Sequence, residues 1–331
     1  MIALSVVIPS RDRERVLSET LRRLVEQLAG RPAEVIVVYD GPSGERRIAA
    51  ETAGSSEVPL QVVEQPPLGP AAARNRGLEL ARGAACLFLG DDAWPGEGLV
   101  DRHLEFHRDH PDAGDALLGL VVPAAPLDGS PFIRWLHTDG VQFGYGGLEA
   151  GVVPATCFWT ANVSAKTELL RDAGGFDEAF TDAACEDTEL GLRLAHAGMR
   201  LAYDPAALAH HYHPTDLAAT LDRMRRVGLA YRVLESRAPE LPMPRRPGPR
   251  HRLKAAALAP LASAGLARER TWRFLCDEVQ REAFWGVEAG AGRRLRIGEG
   301  LARVAIRAQD GAEVRDARGG MDDAARRDEG M

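Results

Sequence analysis

The fold is decided by residues 4–41, which read LSVVIPSRDRERVLSETLRRLVEQLAGRPAEVIVVYDG. Residues 4–8 form a short apolar run of the kind found in buried strands. Leucines then recur at helical spacing until Gly30, a residue that favours the end of a helix. The run EVIVVY at residues 34–39 is a second buried strand, and it ends at Asp40. This stretch therefore predicts one strand–helix–strand unit.

The same alternation continues along the chain. We expect a third strand at residues 60–63, a helix at 69–82 and a strand at 85–89. Strands and helices that alternate with short connections predict βαβ units and a mostly parallel sheet. Two of the strands end in carboxylates, at Asp40 and at the pair Asp91-Asp92. In open parallel sheets ligands bind at the carboxyl ends of the strands, so these positions indicate a site.

The pattern becomes irregular from Asp128 to Pro154, which is rich in glycine. We expect a long, mobile loop region at the edge of the site there. Regular elements return after Pro154. Helices are predicted at residues 166–173 and 186–197, and strands at 155–163, 200–203 and 209–213.

Composition excludes several classes of protein. The 331 residues include 48 acidic and 41 basic side chains, and the resulting net charge of −7 disfavours broad nucleic-acid binding. The four cysteines form no CxxC pair, which argues against a zinc site and favours a reduced cytosolic compartment. The opening MIALSVVIPS lacks the features of a signal peptide. The apolar stretch 255–267 is too short to span a bilayer. We expect a cytoplasmic protein that is at most peripheral at a membrane.

The composition shifts after Pro214. Residues 222–254 contain ten basic and three acidic residues, and residues 239–249 contain five prolines. A proline-rich segment of this kind is typical of a linker. We therefore divide the chain into a catalytic domain, a helical C-terminal extension and a disordered tail. Their predicted ranges are 1–215, 216–310 and 311–331.

The basic stretch itself has three interpretations. A solvated surface is the default. Contact of residues 223–254 with an anionic membrane comes second, because each basic residue near such a surface contributes about 1 kcal/mol. Nucleic acid comes last, since Tyr231 is the sole aromatic side chain among the charges. We therefore expect no nucleic-acid partner.

A set of acidic and histidine side chains suggests metal chemistry. Asp40 and Asp91-Asp92 end strands, Glu186-Asp187 opens a helix, and His211 and His213 lie in the strand predicted at 209–213. Carboxylates suit Mg²⁺ or Mn²⁺, and Mn²⁺ also tolerates imidazole. A divalent ion also suits a pyrophosphate leaving group, because it neutralises the charge that builds as the bond breaks.

Five segments, taken in order, give the chain a family resemblance. They are SVVIPSRDR, VIVVYDG, GPAAARNRGLELARG, LFLGDD and CEDTELGLRLAHAG, with HHYHP behind them. Together they resemble family 2 glycosyltransferases of the GT-A fold, from about Ser5 to Pro214. The C-terminal third is not covered.

The resemblance implies a donor nucleotide site. The turn Pro9-Ser10-Arg11 would cradle the nucleotide, and Asp40 would accept a hydrogen bond from the imide N–H of a base, which suits uracil. Arg74 would lie near the nucleoside and phosphates. Asp91 would belong to the same nucleotide site.

The resemblance also implies a metal and a base. Asp92 would bind Mn²⁺ or Mg²⁺, with His211 completing the shell and His213 as the alternative. Gly90 stands where the family's DxD motif usually begins, so the ion would be held less tightly. Asp187 would be the catalytic base of an inverting enzyme, with Glu186 beside it.

Each assignment has a structural alternative. Glu186 and Asp187 could simply complement the positive end of their helix. Asp40-Gly41 alone is a turn signal, and Arg74 alone is more often a solvated helix residue. Trp135 and Trp159 could stack on an acceptor sugar, but tryptophan is more often found in a core.

Taken together, the sequence favours a metal-dependent, inverting glycosyltransferase that uses a UDP-sugar. The acceptor hydroxyl would belong to a glycan, a lipid or a small molecule, and a homo-oligomer stays open. One alternative is a catalytically impaired binding or scaffold protein, which the departure at Gly90 would allow. Another is a nucleotidyltransferase, although residues 10–14 lack the glycine-rich phosphate loop that such an enzyme needs.

Overall fold

The computed structural model describes residues 2–42, 58–138, 141–263 and 265–286. The predicted tail at 311–331 lies outside these residues. The central element is a nine-stranded sheet with the order β3-β2-β1-β4-β8-β6-β9-β5, in which β7 pairs with β9. The strands are β1 (Leu4–Ser10), β2 (Ala33–Asp40), β3 (Leu60–Gln65), β4 (Ala85–Leu89), β5 (Ala93–Pro95), β6 (Asp115–Pro123), β7 (Gly151–Val152), β8 (Asn162–Lys166) and β9 (Arg200–His211).

The predicted βαβ unit is confirmed. Strand β1 pairs in parallel with both β2 and β4, and β2 pairs in parallel with β3. Every residue of β2 is buried, as its continuous apolar run requires. Helix α1 (Glu14–Leu28) buries its leucine stripe, and Gly30 follows it with a φ of 72°. This is the left-handed backbone that glycine adopts without strain.

The remaining helices belong to the crossovers and to the C-terminal part of the chain. They are α2 (Pro70–Leu80), α3 (Leu99–Asp109), α4 (Ala125–Asp128), α5 (Pro131–Thr138), α6 (Thr167–Asp172), α7 (Glu186–His196), α8 (Leu217–Arg237), α9 (Pro249–Ser263) and α10 (Glu269–Trp285). The predicted helices at 69–82, 166–173 and 186–197 are therefore confirmed, with slightly shorter bounds.

The second half of the sheet departs from the predicted parallel pattern. Strand β8 is antiparallel to both β4 and β6, whereas β6 is parallel to β9. The sheet is thus parallel from β3 to β4 and mixed beyond it. The two strands expected at 200–203 and 209–213 are one strand, β9, which keeps pairing with β6 across a register shift at Gly119/Leu120.

Two other predictions were wrong. Residues 128–154 are not simply an irregular loop, because α5 and a 3-10 turn at Tyr145–Gly147 lie within them. The helix buries Ile133 and Leu136, a helical spacing that the surrounding glycines obscure in the sequence. The strand predicted at 155–163 is wrong for residues 155–161, since a 3-10 turn occupies Ala155–Cys157 and β8 begins at Asn162. The residues before β8 pack against α7 and do not pair with a neighbouring strand. The approach to α7 is close, since a Cβ added at Gly191 would lie 2.2 Å from the Ala155 carbonyl oxygen.

The chain separates into two compact units. Among the described residues, the first consists of those within 2–216 together with Leu229–Met243, and the second of Leu217–Gly228 together with those within 244–286. Helix α8 thus contributes to both. In the first unit, Leu234 and Ala238 join a small apolar cluster with Phe180.

In the second unit, α9 and α10 pack together around aromatic contacts. Lys254 lies 4.3 Å from the centre of the Phe274 ring, and Trp285 donates a hydrogen bond to the Pro244 carbonyl. Within the described residues, none of the helices is long and apolar enough to cross a bilayer.

Candidate active site at the strand ends

Three central strands bring their carboxyl ends to one edge of the sheet. Strand β1 ends at Ser10, β2 ends at Asp40, and β4 is followed by Gly90, Asp91 and Asp92. The parallel register sets Ser10 beside Tyr39. The sheet order reverses around β1, which is where ligands bind in open α/β sheets.

Asp91 is fixed by the first strand and the first helix. The Ser10 hydroxyl donates a 2.7 Å hydrogen bond to Asp91 Oδ2, and Thr20 of α1 donates one to the Asp91 carbonyl. Burial, together with the neighbouring Asp92 carboxylate, raises the pKa of Asp91 to about 6. A nearby cation would therefore stabilise the ionised form of this buried carboxylate.

Asp92 is held next to two histidines by the pairing of β5 with β9. Ala93 pairs with His211, and the Tyr212 N–H donates a 2.8 Å bond to the Asp92 carbonyl. As a result, Asp92 Oδ2 lies 3.3 Å from His211 Nε2 and 3.3 Å from His213 Nδ1. Burial opposes the charge on Asp92, but the two histidines and Arg13 outweigh it and hold the pKa of Asp92 well below its usual range.

Arg13 is a site residue that sequence reasoning missed. Its guanidinium contacts Asp92 directly and lies 3.4 Å from Asp91 Oδ1. The signal was present in the sequence, since Arg13 is the second arginine of the SRDR segment after β1. Its side chain is 40% exposed, whereas the two carboxylates that it contacts are buried. We call Arg13, Asp91, Asp92, His211 and His213 the strand-end cluster.

The strand-end cluster fits a divalent cation. Asp92, His211 and His213 each offer one ligand atom, and these atoms lie within 4.8 Å of one another. The Arg13 guanidinium places a positive charge beside Asp91 and Asp92, as a bound divalent cation would. One carboxylate with two imidazoles suits Mn²⁺ better than Mg²⁺, which prefers oxygen ligands.

A third histidine, also missed from the sequence, lies behind the cluster. His137 Nε2 is 2.9 Å from His211 Nδ1, and His137 Nδ1 is 2.9 Å from the Ile133 carbonyl oxygen. Burial lowers the pKa of His137 to about 4, so its ring is neutral at neutral pH. No sequence signal marked this residue, because it belongs to α5 within the segment predicted to be a loop.

Asp40 is buried and already has backbone partners. Its Oδ1 accepts hydrogen bonds from the N–H groups of Leu68 and Gly69, at 2.8 Å and 3.0 Å. Arg11, a largely exposed side chain, approaches Oδ2 at 3.7 Å. Asp40 therefore orders the loop before α2 whether or not it also contacts a base. Pro9 is half-buried beside these residues in β1.

Arg74 and Glu186 form a buried ion pair. Arg74 Nη1 donates a 2.9 Å bond to Glu186 Oε1, which joins α2 to the start of α7. Burial, followed by the charge of Asp187, raises the pKa of Glu186 to about 7. Among the described residues, Glu186 Oε2 and Arg74 Nε have no hydrogen-bond partner. Arg74 is thus buried and paired, not solvated.

Asp187 occupies the second position of α7. It is half-buried, and its Oδ1 accepts a 2.7 Å bond from the Thr188 N–H. The left-handed Cys185, with a φ of 69°, precedes the helix. Fixed in the first helical turn, this carboxylate has a position set by backbone geometry.

The two tryptophans differ in exposure. Trp135 is 3% exposed in α5, so its ring presents no open face for a sugar in this conformation. Trp159 is half-buried and belongs to an aromatic group, with its ring centre 4.8 Å from that of Tyr145 and 5.9 Å from that of Phe143.

Two protein-family models match this chain. One, described as Glycosyl transferase family 2, matches residues 5–122. The other, described as Glycosyl transferase family group 2, matches residues 134–267. The chain belongs to glycosyltransferase family 2. The family expected from the five sequence segments is therefore confirmed.

Curated relatives support the same family. The Pre-mycofactocin glycosyltransferase of Mycobacterium tuberculosis is 32% identical over 249 residues, which cover 72% of this chain and 49% of the relative. The Validoxylamine A glucosyltransferase of Streptomyces hygroscopicus subsp. limoneus is 30% identical over 224 residues, which cover 59% and 48%. This chain therefore spans about half the length of these relatives.

Solved glycosyltransferase structures share the fold. The mannosyltransferase PcManGT from Pyrobaculum calidifontis, in complex with GDP-Man and Mn²⁺, aligns with a TM-score of 0.51 and 20% identity over 90% of this chain and 80% of its own. S. aureus TarS 1–349 in complex with UDP gives a TM-score of 0.52 and 18% identity over 87% and 92%. The GT-A fold predicted from the sequence is confirmed at the level of architecture.

Proposed function

We propose that this protein transfers a sugar from a nucleotide-diphosphate donor to an acceptor hydroxyl, with inversion at the anomeric carbon and dependence on a divalent cation. The observation that carries the proposal is the position of Asp92 Oδ2, 3.3 Å from both His211 and His213 at the carboxyl edge of the sheet. Family membership supports glycosyl transfer as the chemistry.

The donor nucleotide would bind across the ends of β1, β2 and β4. Pro9, Ser10 and Arg11 line the end of β1, and Asp40 ends the neighbouring strand. A UDP-sugar is the donor that we favour, since an ordered carboxylate suits the imide N–H of uracil. TarS binds UDP, whereas PcManGT binds GDP-Man, so the base of the donor nucleotide has to be determined by experiment.

Asp92, His211 and His213 would hold the cation, and Mn²⁺ is favoured over Mg²⁺ by the two imidazoles. When bound, such an ion neutralises the charge that develops on the leaving diphosphate. Arg13 would release Asp92 and become available to the phosphates. Asp91, fixed by Ser10, would keep the carboxylate pair in place.

Asp187 would accept the proton of the attacking hydroxyl. A direct displacement needs a base on the acceptor side, within hydrogen-bond reach of that hydroxyl. Glu186 lies next in the chain and has one unpartnered buried oxygen, so it would orient a hydroxyl of the donor or the acceptor. Arg74 would hold Glu186 in position through the ion pair. Trp159 offers a stacking surface for the acceptor.

The Asp187→Asn variant tests this mechanism. The change is nearly isosteric and removes the basicity, so turnover should fall by about 10²- to 10⁴-fold while UDP affinity stays nearly unchanged. Glu186→Gln should cost less and serves as the matched control. Product NMR should show the anomeric configuration opposite to that of the donor. Near-normal turnover in Asp187→Asn, or a retained configuration, contradicts this mechanism.

The donor can be identified by thermal shift with a panel of nucleotide sugars, with and without Mn²⁺. A true donor should stabilise the protein more when Mn²⁺ is present, because a ligand that binds only the folded state raises its stability. The second candidate, an impaired binding protein, is favoured by Gly90 at the start of the DxD position. It would show the same thermal shift, but no donor hydrolysis or transfer.

We further propose that the second unit contacts an anionic membrane surface. Residues 241–268 contain six basic residues and no acidic residue. Arg245, Arg246 and Lys254 are exposed. Leucines are exposed in the same segment, namely Leu253 at 73%, Leu261 at 46% and Leu266 at 67%. Basic and apolar side chains that are exposed together are typical of a membrane-surface segment.

Vesicle co-sedimentation tests this contact. The protein should bind phosphatidylcholine vesicles containing phosphatidylglycerol more strongly than pure phosphatidylcholine vesicles, and salt should weaken the binding. Arg245→Glu with Arg246→Glu should reduce it. Arg102→Glu, an exposed change on α3, is the control and should not. Equal binding to both vesicle types argues against the contact.

A further inference from the structure

We infer that His137 is a positioning residue, which fixes His211 in the orientation and tautomer that bind a cation. This inference rests on the proposed metal function of the strand-end cluster. His137 lies on α5 and His211 at the end of β9, 74 positions apart in the chain. His137 is only 4% exposed, so its ring occupies one defined place.

The hydrogen bonds determine where the protons lie. A carbonyl oxygen can only accept, so the 2.9 Å contact with Ile133 requires a proton on His137 Nδ1. The neutral ring then has a lone pair at Nε2. Because this nitrogen lies 2.9 Å from His211 Nδ1, His211 must donate there. With the proton of that bond on Nδ1, Nε2 is the His211 atom that remains to bind a cation.

His211 Nε2 lies 3.3 Å from Asp92 Oδ2, so a cation can bind to both atoms. The bond from His137 thus selects the tautomer that such a site requires, and histidine ligands in proteins are commonly oriented in this way.

Ring packing holds the same geometry from a second side. Phe143 lies with its ring centre 5.8 Å from that of His137 and 5.8 Å from that of His211. His213 stacks on His211 at 5.3 Å with an interplanar angle of 7°. His211 therefore has little freedom to rotate away while His137 remains in place.

The test measures Mn²⁺ affinity directly, by the electron paramagnetic resonance signal of free Mn²⁺ during titration of the full chain. His137→Phe removes the acceptor and should raise the Mn²⁺ Kd by about 10- to 100-fold. His137→Gln keeps an oxygen that can accept and should recover part of the affinity. His110→Phe is the matched control, since His110 also contacts a carbonyl four residues earlier, that of Phe106. It should bind Mn²⁺ as the wild type does.

Two further measurements separate positioning from folding and from the proposed function. UDP affinity without metal should be unchanged in His137→Phe, and its metal-free melting curve should show a single folded state. If His137→Phe does not fold, His137→Met removes the acceptor with a more flexible apolar chain. A folded variant that binds Mn²⁺ as tightly as the wild type overturns the inference. A wild type that binds no Mn²⁺ overturns the metal function instead.

Discussion

Two clusters of buried and half-buried histidines lie against the same sheet, and they are built in opposite ways. The strand-end cluster places His211 and His213 against a carboxylate. The other, which we call the α3–β8 cluster, consists of His103, His107, Asn162 and Ser164. Ser164 Oγ lies 2.8 Å from both His103 Nδ1 and His107 Nε2, and His103 Nε2 lies 3.0 Å from Asn162 Oδ1.

The α3–β8 cluster is joined by hydrogen bonds between neutral groups, although His107 Nδ1 is buried without a hydrogen-bond partner among the described residues. Asn162 Oδ1 accepts from His103, Ser164 donates to His103, and His107 donates to Ser164, which assigns every proton without any charge. Asn162 also donates to the Ala207 carbonyl at 2.8 Å. Burial lowers the pKa of His103 to about 4 and that of His107 to about 3. This is a structural cluster.

The strand-end cluster is not balanced in the same way. It contains two adjacent buried carboxylates, and Arg13, a partly exposed side chain, provides their positive charge. We propose that the histidines that face carboxylates belong to a functional site, and that those that face an amide and a hydroxyl form a structural network. Histidine content alone does not distinguish the two.

The largest expected effect is at Asp92. Asp92→Asn keeps the shape and removes the charge that would hold the cation. Turnover should fall by about 10²- to 10⁴-fold, which corresponds to the several kcal/mol that metal stabilisation of a leaving group supplies. The thermal stability of the metal-free protein should change far less. Steady-state kinetics with Mn²⁺ would measure the loss, and turnover within tenfold of the wild type would place the strand-end cluster in the structural class.

At Ser164 we expect the opposite of the result at Asp92, namely a loss of stability without a loss of turnover. Ser164→Ala leaves His103 and His107 without their shared partner, so the free energy of unfolding should fall by about 1–3 kcal/mol. Turnover per folded molecule should stay near the wild-type value. Urea denaturation and kinetics on the same preparation check both statements. Loss of turnover with unchanged stability would mean that this cluster also serves the reaction.

Part of the fold and of the candidate site could be predicted from the sequence. Continuous apolar runs such as residues 34–39 identify the parallel strands, because both faces of such strands are buried. The carboxylates that follow β2 and β4 then locate the site edge. The family motifs added Asp187 and His211 to the list of candidate site residues. Hydrophobic periodicity alone cannot connect these two residues with the strand ends.

What the sequence could not predict depends on long-range packing. His137 reaches His211 through a helix hidden among glycines. Arg74 and Glu186 are paired across 112 residues, which no local pattern reveals. Residues 155–161 have the composition of a strand, but Ala155 and Phe158 pack against α7, and tertiary contacts override propensity there.

The α3–β8 cluster should also make the protein sensitive to acid. His103 is neutral when folded but protonates below about pH 6.5 when unfolded. The unfolded state therefore binds more protons between pH 6.5 and 4, and stability should fall as the pH drops through this window, by on the order of 2–3 kcal/mol for His103. Denaturation at several pH values measures the slope. His103→Gln should show a shallower slope, and an unchanged slope would assign the acid sensitivity to other groups.

The smallest effect is expected at Gly90. A Cβ there would lie 3.0 Å from Asp92 Oδ1, a tight contact that needs a shift of a few tenths of an ångström. Gly90→Asp adds an oxygen ligand and should tighten Mn²⁺ binding by tenfold or less. Gly90→Ala is the control for crowding alone. Calorimetry would measure the Mn²⁺ affinity of both variants. Equal affinities would show that the absence of an aspartate at position 90 does not weaken Mn²⁺ binding.

The most direct test of the strand-end cluster as a metal-bridged donor site is a calorimetric titration of UDP with and without Mn²⁺, in the wild type and in Asp92→Asn. We expect Mn²⁺ to raise UDP affinity by tenfold or more in the wild type, because the cation would contact both Asp92 and the diphosphate. In Asp92→Asn this gain should disappear, while weak metal-free binding remains. Equal UDP affinity with and without Mn²⁺ in the wild type would contradict the account.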